Sequence, residues 1–149
     1  MKIGFIGGGN MGGAILAGYG SADPDNEAKI ALFDKSEDVC AKTRERFPKM
    51  TICSSGRAAC GATAATQQEI GEQCDVVITM LPNSPQVKEV MLGADGVAAH
   101  MKAGATFIDC SSINPVAIKE IAAALAGKGV KILDAPVSGG DSGAAAGTL

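Results

Sequence analysis

Short apolar runs alternate along this chain with stretches whose apolar positions recur at helical spacing. Lys2-Ile3-Gly4-Phe5-Ile6 reads as a first strand and runs straight into a glycine turn, Gly7-Gly8-Gly9-Asn10-Met11-Gly12-Gly13. A helix from about 11 to 19 follows, with Met11, Ala14, Ile15 and Gly18 on one stripe at i, i+3, i+4 and i+7. The polar stretch Ser21-Ala22-Asp23-Pro24-Asp25-Asn26 ends it, and Lys29-Ile30-Ala31-Leu32-Phe33 predicts a second strand closing at Asp34. Ser36 is placed to cap a second helix, on which Val39, Thr43 and Phe47 recur every four residues up to Pro48. Residues 50–53 read as the third strand, a role that 62–65 could also fill, and Thr66-Gln67-Gln68-Glu69 is a capping box opening a short helix to about 73.

Asp75-Val76-Val77-Ile78-Thr79-Met80-Leu81 is a nearly continuous apolar run, the pattern of a parallel strand covered on both faces. Pro82 ends it, and Ser84 and Pro85 mark the next helix start as cap and first-turn proline, with Gly93 after the last apolar pair. Ala105-Thr106-Phe107-Ile108-Asp109 predicts a fifth strand. Asn114-Pro115 then opens a long helix carrying Val116, Ile121 and Leu125, closed by Gly127 or Gly129. Val130-Lys131-Ile132-Leu133 makes the sixth strand, and Asp134-Ala135-Pro136-Val137-Ser138-Gly139-Gly140 leaves it. Repeated strand–helix alternation calls for an α/β fold, a doubly wound parallel sheet with strand order 3-2-1-4-5-6.

Composition narrows the class. At 149 residues the chain suits one domain, 1–149, with a real core. It is 46% hydrophobic and 19% charged. It has no apolar run near the roughly 18 residues of a membrane span, so no membrane partner is expected. A net charge of -3, no Trp and one Tyr argue against a nucleic-acid platform, which needs a basic face or stacking rings. Met1-Lys2-Ile3 enters the first strand directly, so no targeting peptide and a cytoplasmic location are expected. The cysteines are Cys40, Cys53, Cys60, Cys74 and Cys110. They form an odd set without a C-x-x-C pair, and the single histidine, His100, is near none of them, so neither metal nor disulfide is expected.

Chemistry enters with the glycine turn. Gly7, Gly9 and Gly12 stand in G-x-G-x-x-G spacing between a strand and a helix: the first permits the tight turn, the second lets the backbone approach a pyrophosphate, the third lets the helix pack closely. Free N–H groups of Asn10, Met11 and Gly12 at the helix start would face the phosphates. Asp34 follows the third glycine by about 20 residues, the spacing of an acid that binds the adenosine ribose diol and favours NAD. Lys35 beside it could instead hold a 2′-phosphate, so NAD and NADP both stay open as cofactors. In such a sheet ligands bind at the carboxyl ends of the strands, and those ends are the glycine turn, Asp34-Lys35, Leu81-Pro82-Asn83, Ser111-Ser112 and Pro136 to Gly140. Ser138, Gly139 and Gly140 offer backbone N–H groups suited to a substrate carboxylate.

From about Gly61 to Leu149 the chain resembles the coenzyme domain of the 3-hydroxyisobutyrate dehydrogenase family, most closely its tartronate semialdehyde reductase branch. The matching runs are Asp75 to Pro85, Ile108-Asp109-Cys110-Ser111-Ser112, Asp134 to Gly140, and Gly147-Thr148-Leu149. The resemblance implies a Rossmann domain that binds NAD or NADP. It implies that Leu81 and Pro82 line the nicotinamide ribose, with Ser111 at the cofactor, and that Ser138, Gly139 and Gly140 meet a small carboxylate substrate. The family's proton-donating lysine, and the all-helical domain that builds its homo-oligomer, come after the coenzyme domain. The resemblance therefore implies a fragment that binds cofactor with little or no turnover and carries no catalytic residue of its own. Residues 1–60 are more similar to pyrroline-5-carboxylate reductase, as though two related domains were joined with one strand duplicated. An imine reductase and a non-catalytic dinucleotide module remain the alternatives.

Overall fold

The computed structural model describes residues 1–53 and 66–149. Six parallel strands form one sheet: β1 (Ile3–Ile6), β2 (Ile30–Phe33), β3 (Thr51–Cys53), β4 (Val76–Thr79), β5 (Thr106–Asp109) and β6 (Lys131–Asp134). Their order is β3-β2-β1-β4-β5-β6, as the strand–helix alternation predicts. The helices are α1 (Asn10–Ala22), α2 (Glu37–Arg46), α3 (Gln67–Gln73), α4 (Ser84–Leu92), α5 (Val97–His100), α6 (Pro115–Leu125) and α7 (Gly140–Ala146). Among the described residues, no helix is long and apolar enough to cross a membrane.

Because side chains alternate across a strand, β1 feeds two cores. Phe5 packs with Leu16, Ile30, Leu32, Cys40, Phe47 and Ile52 under α1 and α2. Ile6 joins Ile70, Val77, Val87, Phe107, Ile121 and Leu125 on the opposite face. With β2 and β4 on its two sides and apolar layers above and below, β1 is buried at every position. Among the described residues β6 pairs only with β5, and Leu133 is 52% exposed.

Local chemistry starts and stops the helices. Ser36 Oγ accepts from Val39 N, and Thr66 and Glu69 complete a reciprocal capping box. The start of α4 differs from expectation. Asn83 is the cap and its Oδ1 accepts from Ser84 N at 2.8 Å, while Ser84 Oγ is taken by Asn114 N at 2.9 Å, across to the start of α6. A short 3₁₀ turn, Ala126–Lys128, extends α6, and Gly129 stops it at φ +68°. The buried stripe of α1 is Gly12, Leu16 and Gly20, one position out of phase with the predicted one, because the glycines themselves form the close-packed face. On α6 the buried residues are Ala117, Ile118, Ile121 and Leu125, and Val116 is 62% exposed. Residues 51–53 supply the third strand, and the alternative at 62–65 lies outside the described residues.

Candidate functional site

β1 ends at Ile6, and Gly7 turns the chain at φ +97°, a conformation open to glycine at no steric cost. Gly7 N still donates to Phe33 O at 3.0 Å, so the turn leaves β1 while tied to the end of β2. Gly12, one helical turn later, lies against this turn: a Cβ there would come 2.0 Å from Gly7 O. Gly9 is different. A Cβ there would meet no atom of the described residues within 4 Å, so their packing does not require the glycine.

Gly9 is also the N-cap of α1, with no side-chain cap bond and no acidic residue in the first turn. The first-turn N–H groups and the positive end of the helix dipole are thus left for an anion. They face a cavity of about 700 Å³, lined by Gly7, Gly9, Asn10, Met11, Gly12, Asp34, Lys35, Leu81 and Pro82 together with Ile6, Phe33, Val39, Gln67, Met80, Gln86, Glu89 and Val90. The volume lies within the usual span for small-molecule and cofactor sites. Open backbone at Gly9, an uncapped helix start and walls that mix polar and apolar residues fit a dinucleotide.

Asp34 holds the turn from the side. Its Oδ2 accepts from Gly8 N at 2.7 Å and its Oδ1 from Ser36 N at 2.8 Å, so the carboxylate fastens the glycine turn to the start of α2 while still lining the cavity. On the opposite wall, Leu81 N donates to Ser111 Oγ at 2.9 Å. Ser111 is fully buried and supports the wall from behind; it does not line the cavity. Ser138, Gly139 and Gly140 are exposed at the β6 exit, on the same carboxyl edge but outside the cavity lining.

Sequence reasoning missed the α4 side of the cavity. Gln86, Glu89 and Val90 stand at i, i+3 and i+4 on that helix, and Val87 and Met91 form its buried stripe. The spacing was readable; what hid it was the lack of a reason to expect a ligand on that face. Gln86 Oε1 is buried with no hydrogen-bond partner among the described residues. Cys110, between Asp109 and Ser111, has its thiol pKa raised, first by burial and then by the Asp109 charge, which makes it a poor nucleophile. No cluster of potential metal ligands occurs among the described residues.

A family model described as the NAD binding domain of 6-phosphogluconate dehydrogenase matches residues 2–149. This chain belongs to that family. The match makes it an NAD(P)-binding Rossmann domain, and the same match takes in the first 60 residues. The chain is 39% identical to 3-hydroxyisobutyrate dehydrogenase of Pseudomonas aeruginosa over 147 residues, 99% of this chain and 44% of that protein. Over 84 residues, 56% of this chain and 29% of the relative, it is 42% identical to 2-hydroxy-3-oxopropionate reductase of Escherichia coli. The crystal structure of 3-hydroxyisobutyrate dehydrogenase from Salmonella typhimurium superposes with a TM-score of 0.78 at 28% identity, covering 99% of this chain and 45% of that one. The chain thus spans less than half the length of the relatives it matches.

Proposed function

We propose that this chain is the cofactor half of an oxidoreductase that moves hydride between a nicotinamide and a small 3-hydroxy acid or its semialdehyde, in the manner of a 2-hydroxy-3-oxopropionate reductase. The observation that carries the reading is the convergence of four strand ends: the glycine turn, Asp34, Leu81-Pro82 and the Ser138-Gly139-Gly140 exit share one edge of the sheet. The relatives named 3-hydroxyisobutyrate dehydrogenase and 2-hydroxy-3-oxopropionate reductase supply the substrate class.

In this reading the first turn of α1 holds the pyrophosphate through backbone N–H groups, and Gly9 gives it room. Asp34 and Lys35 meet the adenosine ribose, with Asp34 favouring NAD. Leu81 and Pro82 form the apolar wall that orients the nicotinamide half and keeps water from it. Ser138, Gly139 and Gly140 receive the substrate carboxylate; the positive φ of Gly139 and Gly140 supports this by turning backbone there. The cofactor, when bound, supplies the hydride. Reduction of a carbonyl also needs a positioned acid, which the resemblance assigns to a lysine outside residues 1–149.

Calorimetric titration of the chain with NAD and NADP tests the binding half, and steady-state nicotinamide absorbance with tartronate semialdehyde tests the rest. Binding with little or no turnover is expected. Clear turnover by this chain alone would overturn the assignment of the acid to a region outside it.

A further inference from the structure

Asp109 closes β5 and Thr79 closes β4, and the two are register partners, both with no exposed surface. A polar pair inside an otherwise apolar layer carries a desolvation cost that two aliphatic side chains would not. The pair is wired into the cavity wall. Thr79 Oγ1 donates to Asp109 Oδ1 at 2.7 Å, and Ser111 N donates to the same oxygen at 3.0 Å. The buried Ser111 hydroxyl then accepts from Leu81 N at 2.9 Å, and Cys110 N donates to Thr79 O at 2.9 Å, so the two strand exits are laced together. Meanwhile Asp109 Oδ2 has no partner among the described residues. A half-satisfied buried carboxyl is a costly way to join two strands that their backbone ladder already joins. The network's other end, the Leu81 amide, lies where the cavity wall begins.

We propose that Asp109 is a positioning residue for the nicotinamide wall: through Thr79 and Ser111 it fixes the Leu81 backbone, and with it the face that Leu81 and Pro82 present. This rests on the reading that those two residues meet the nicotinamide half of the cofactor. The pyrophosphate and adenosine half is held by other elements, the α1 turn and Asp34, and does not depend on the network. Asp109 therefore affects one half of the ligand and not the other.

The test uses the whole 149-residue chain and two ligands, the preferred dinucleotide and the matching ADP-ribose fragment, which lacks nicotinamide. Wild-type protein should bind the dinucleotide more tightly than the fragment. Asp109→Leu, which removes the acceptor of both bonds, and Thr79→Val should each weaken the dinucleotide by about tenfold, the loss of roughly one buried hydrogen bond, and leave the fragment within about twofold. Thr79→Ser, which keeps the hydroxyl, should behave as wild type. Amide exchange measured by NMR should quicken at Leu81 in Thr79→Val and stay unchanged at Val77, which reads the positioning without any ligand and without Asp109→Leu. Equal weakening of both ligands would reduce the network to fold support and overturn the proposal, as would Leu81 exchange unchanged by Thr79→Val. Equal affinity of wild-type protein for both ligands would instead overturn the nicotinamide reading of Leu81 and Pro82, while the exchange data still decide whether the network fixes that wall.

Discussion

Substituting alanine at two of the motif glycines should separate folding from binding. At Gly12 the new Cβ would sit 2.0 Å from Gly7 O and 3.1 Å from both Gly7 C and Phe5 Cε1, against an ordinary contact of 3.4–4 Å. The nearest obstacle is backbone, held by the hydrogen bonds of the turn, so no flexible side chain can yield. Overpacking of this kind costs about 3 kcal/mol, which for a domain of this size lowers Tm by roughly 10 °C. At Gly9 the same methyl meets no atom of the described residues within 4 Å, and φ is -57°, a value alanine adopts freely. Losing glycine at an N-cap costs a few tenths to about 1 kcal/mol, and restricting the unfolded chain returns about as much. Gly9→Ala should therefore melt within a few degrees of wild type. Its methyl would project where the pyrophosphate must approach, displacing one or two charge-assisted hydrogen bonds, a loss of about ten- to a hundredfold in affinity. Thermal unfolding and calorimetric titration with NAD and NADP measure both. Gly9→Ala binding at wild-type strength would refute the pyrophosphate placement, and Gly12→Ala melting at the wild-type temperature would refute the packing argument.

Other outcomes follow from single contacts. Asp34→Ala removes the acceptor of the Gly8 and Ser36 amides, so it should destabilise the chain by about 1–2 kcal/mol. It should also narrow a preference for NAD over NADP by removing a charge that opposes a 2′-phosphate; an unchanged NAD-to-NADP affinity ratio would count against a ribose role. Gln86→Leu removes a buried acceptor that has no partner among the described residues. The free protein should hold or gain stability while cofactor binding weakens, and undiminished binding would leave Gln86 without a ligand. Asp75 accepts from Lys102 Nζ at 2.6 Å and from Lys2 N at 2.8 Å. The Lys102 hydrogen bond leads the causes that hold its pKa below the usual carboxylate value. A depressed folded-state pKa stabilises above the unfolded-state pKa and loses that contribution as pH falls through the folded one. Asp75→Asn should thus melt lower than wild type at pH 7 and converge with it in acid; a pH-independent gap would contradict this.

The sheet was legible because its evidence is local and repeated: each strand is a short apolar run, and each run ends in turn residues. Order and handedness then follow from the rules for parallel crossovers. The phase of α1 was not legible, because a hydrophobic count treats Gly12 and Gly20 as neutral while in the fold they are the contact surface. Ser111 shows a second limit. Its place at a strand end was readable, but whether it faces the cavity or the core depends on a one-residue alternation beyond the strand, and the structure turns it inward. Asp109 and Thr79 are hidden for a different reason: each looks like an ordinary polar residue in an apolar run, and only the register of β4 against β5 pairs them.

These placements change what the glycine motif can be taken to show. Gly7 is accounted for by a left-handed turn, and Gly12 by the close approach of α1 to that turn. Both would be demanded of any chain that leaves a buried central strand and folds a helix straight back onto it, with or without a ligand. Only Gly9 has no reason inside its own fold, since among the described residues nothing occupies the space a side chain would take. The ligand evidence in the motif therefore rests on that one position, together with an α1 start that no side chain caps and a cavity that receives it. It follows that a G-x-G-x-x-G run with a bulkier residue at the middle glycine could keep this architecture and lose the cofactor, whereas one altered at the third could not keep the architecture.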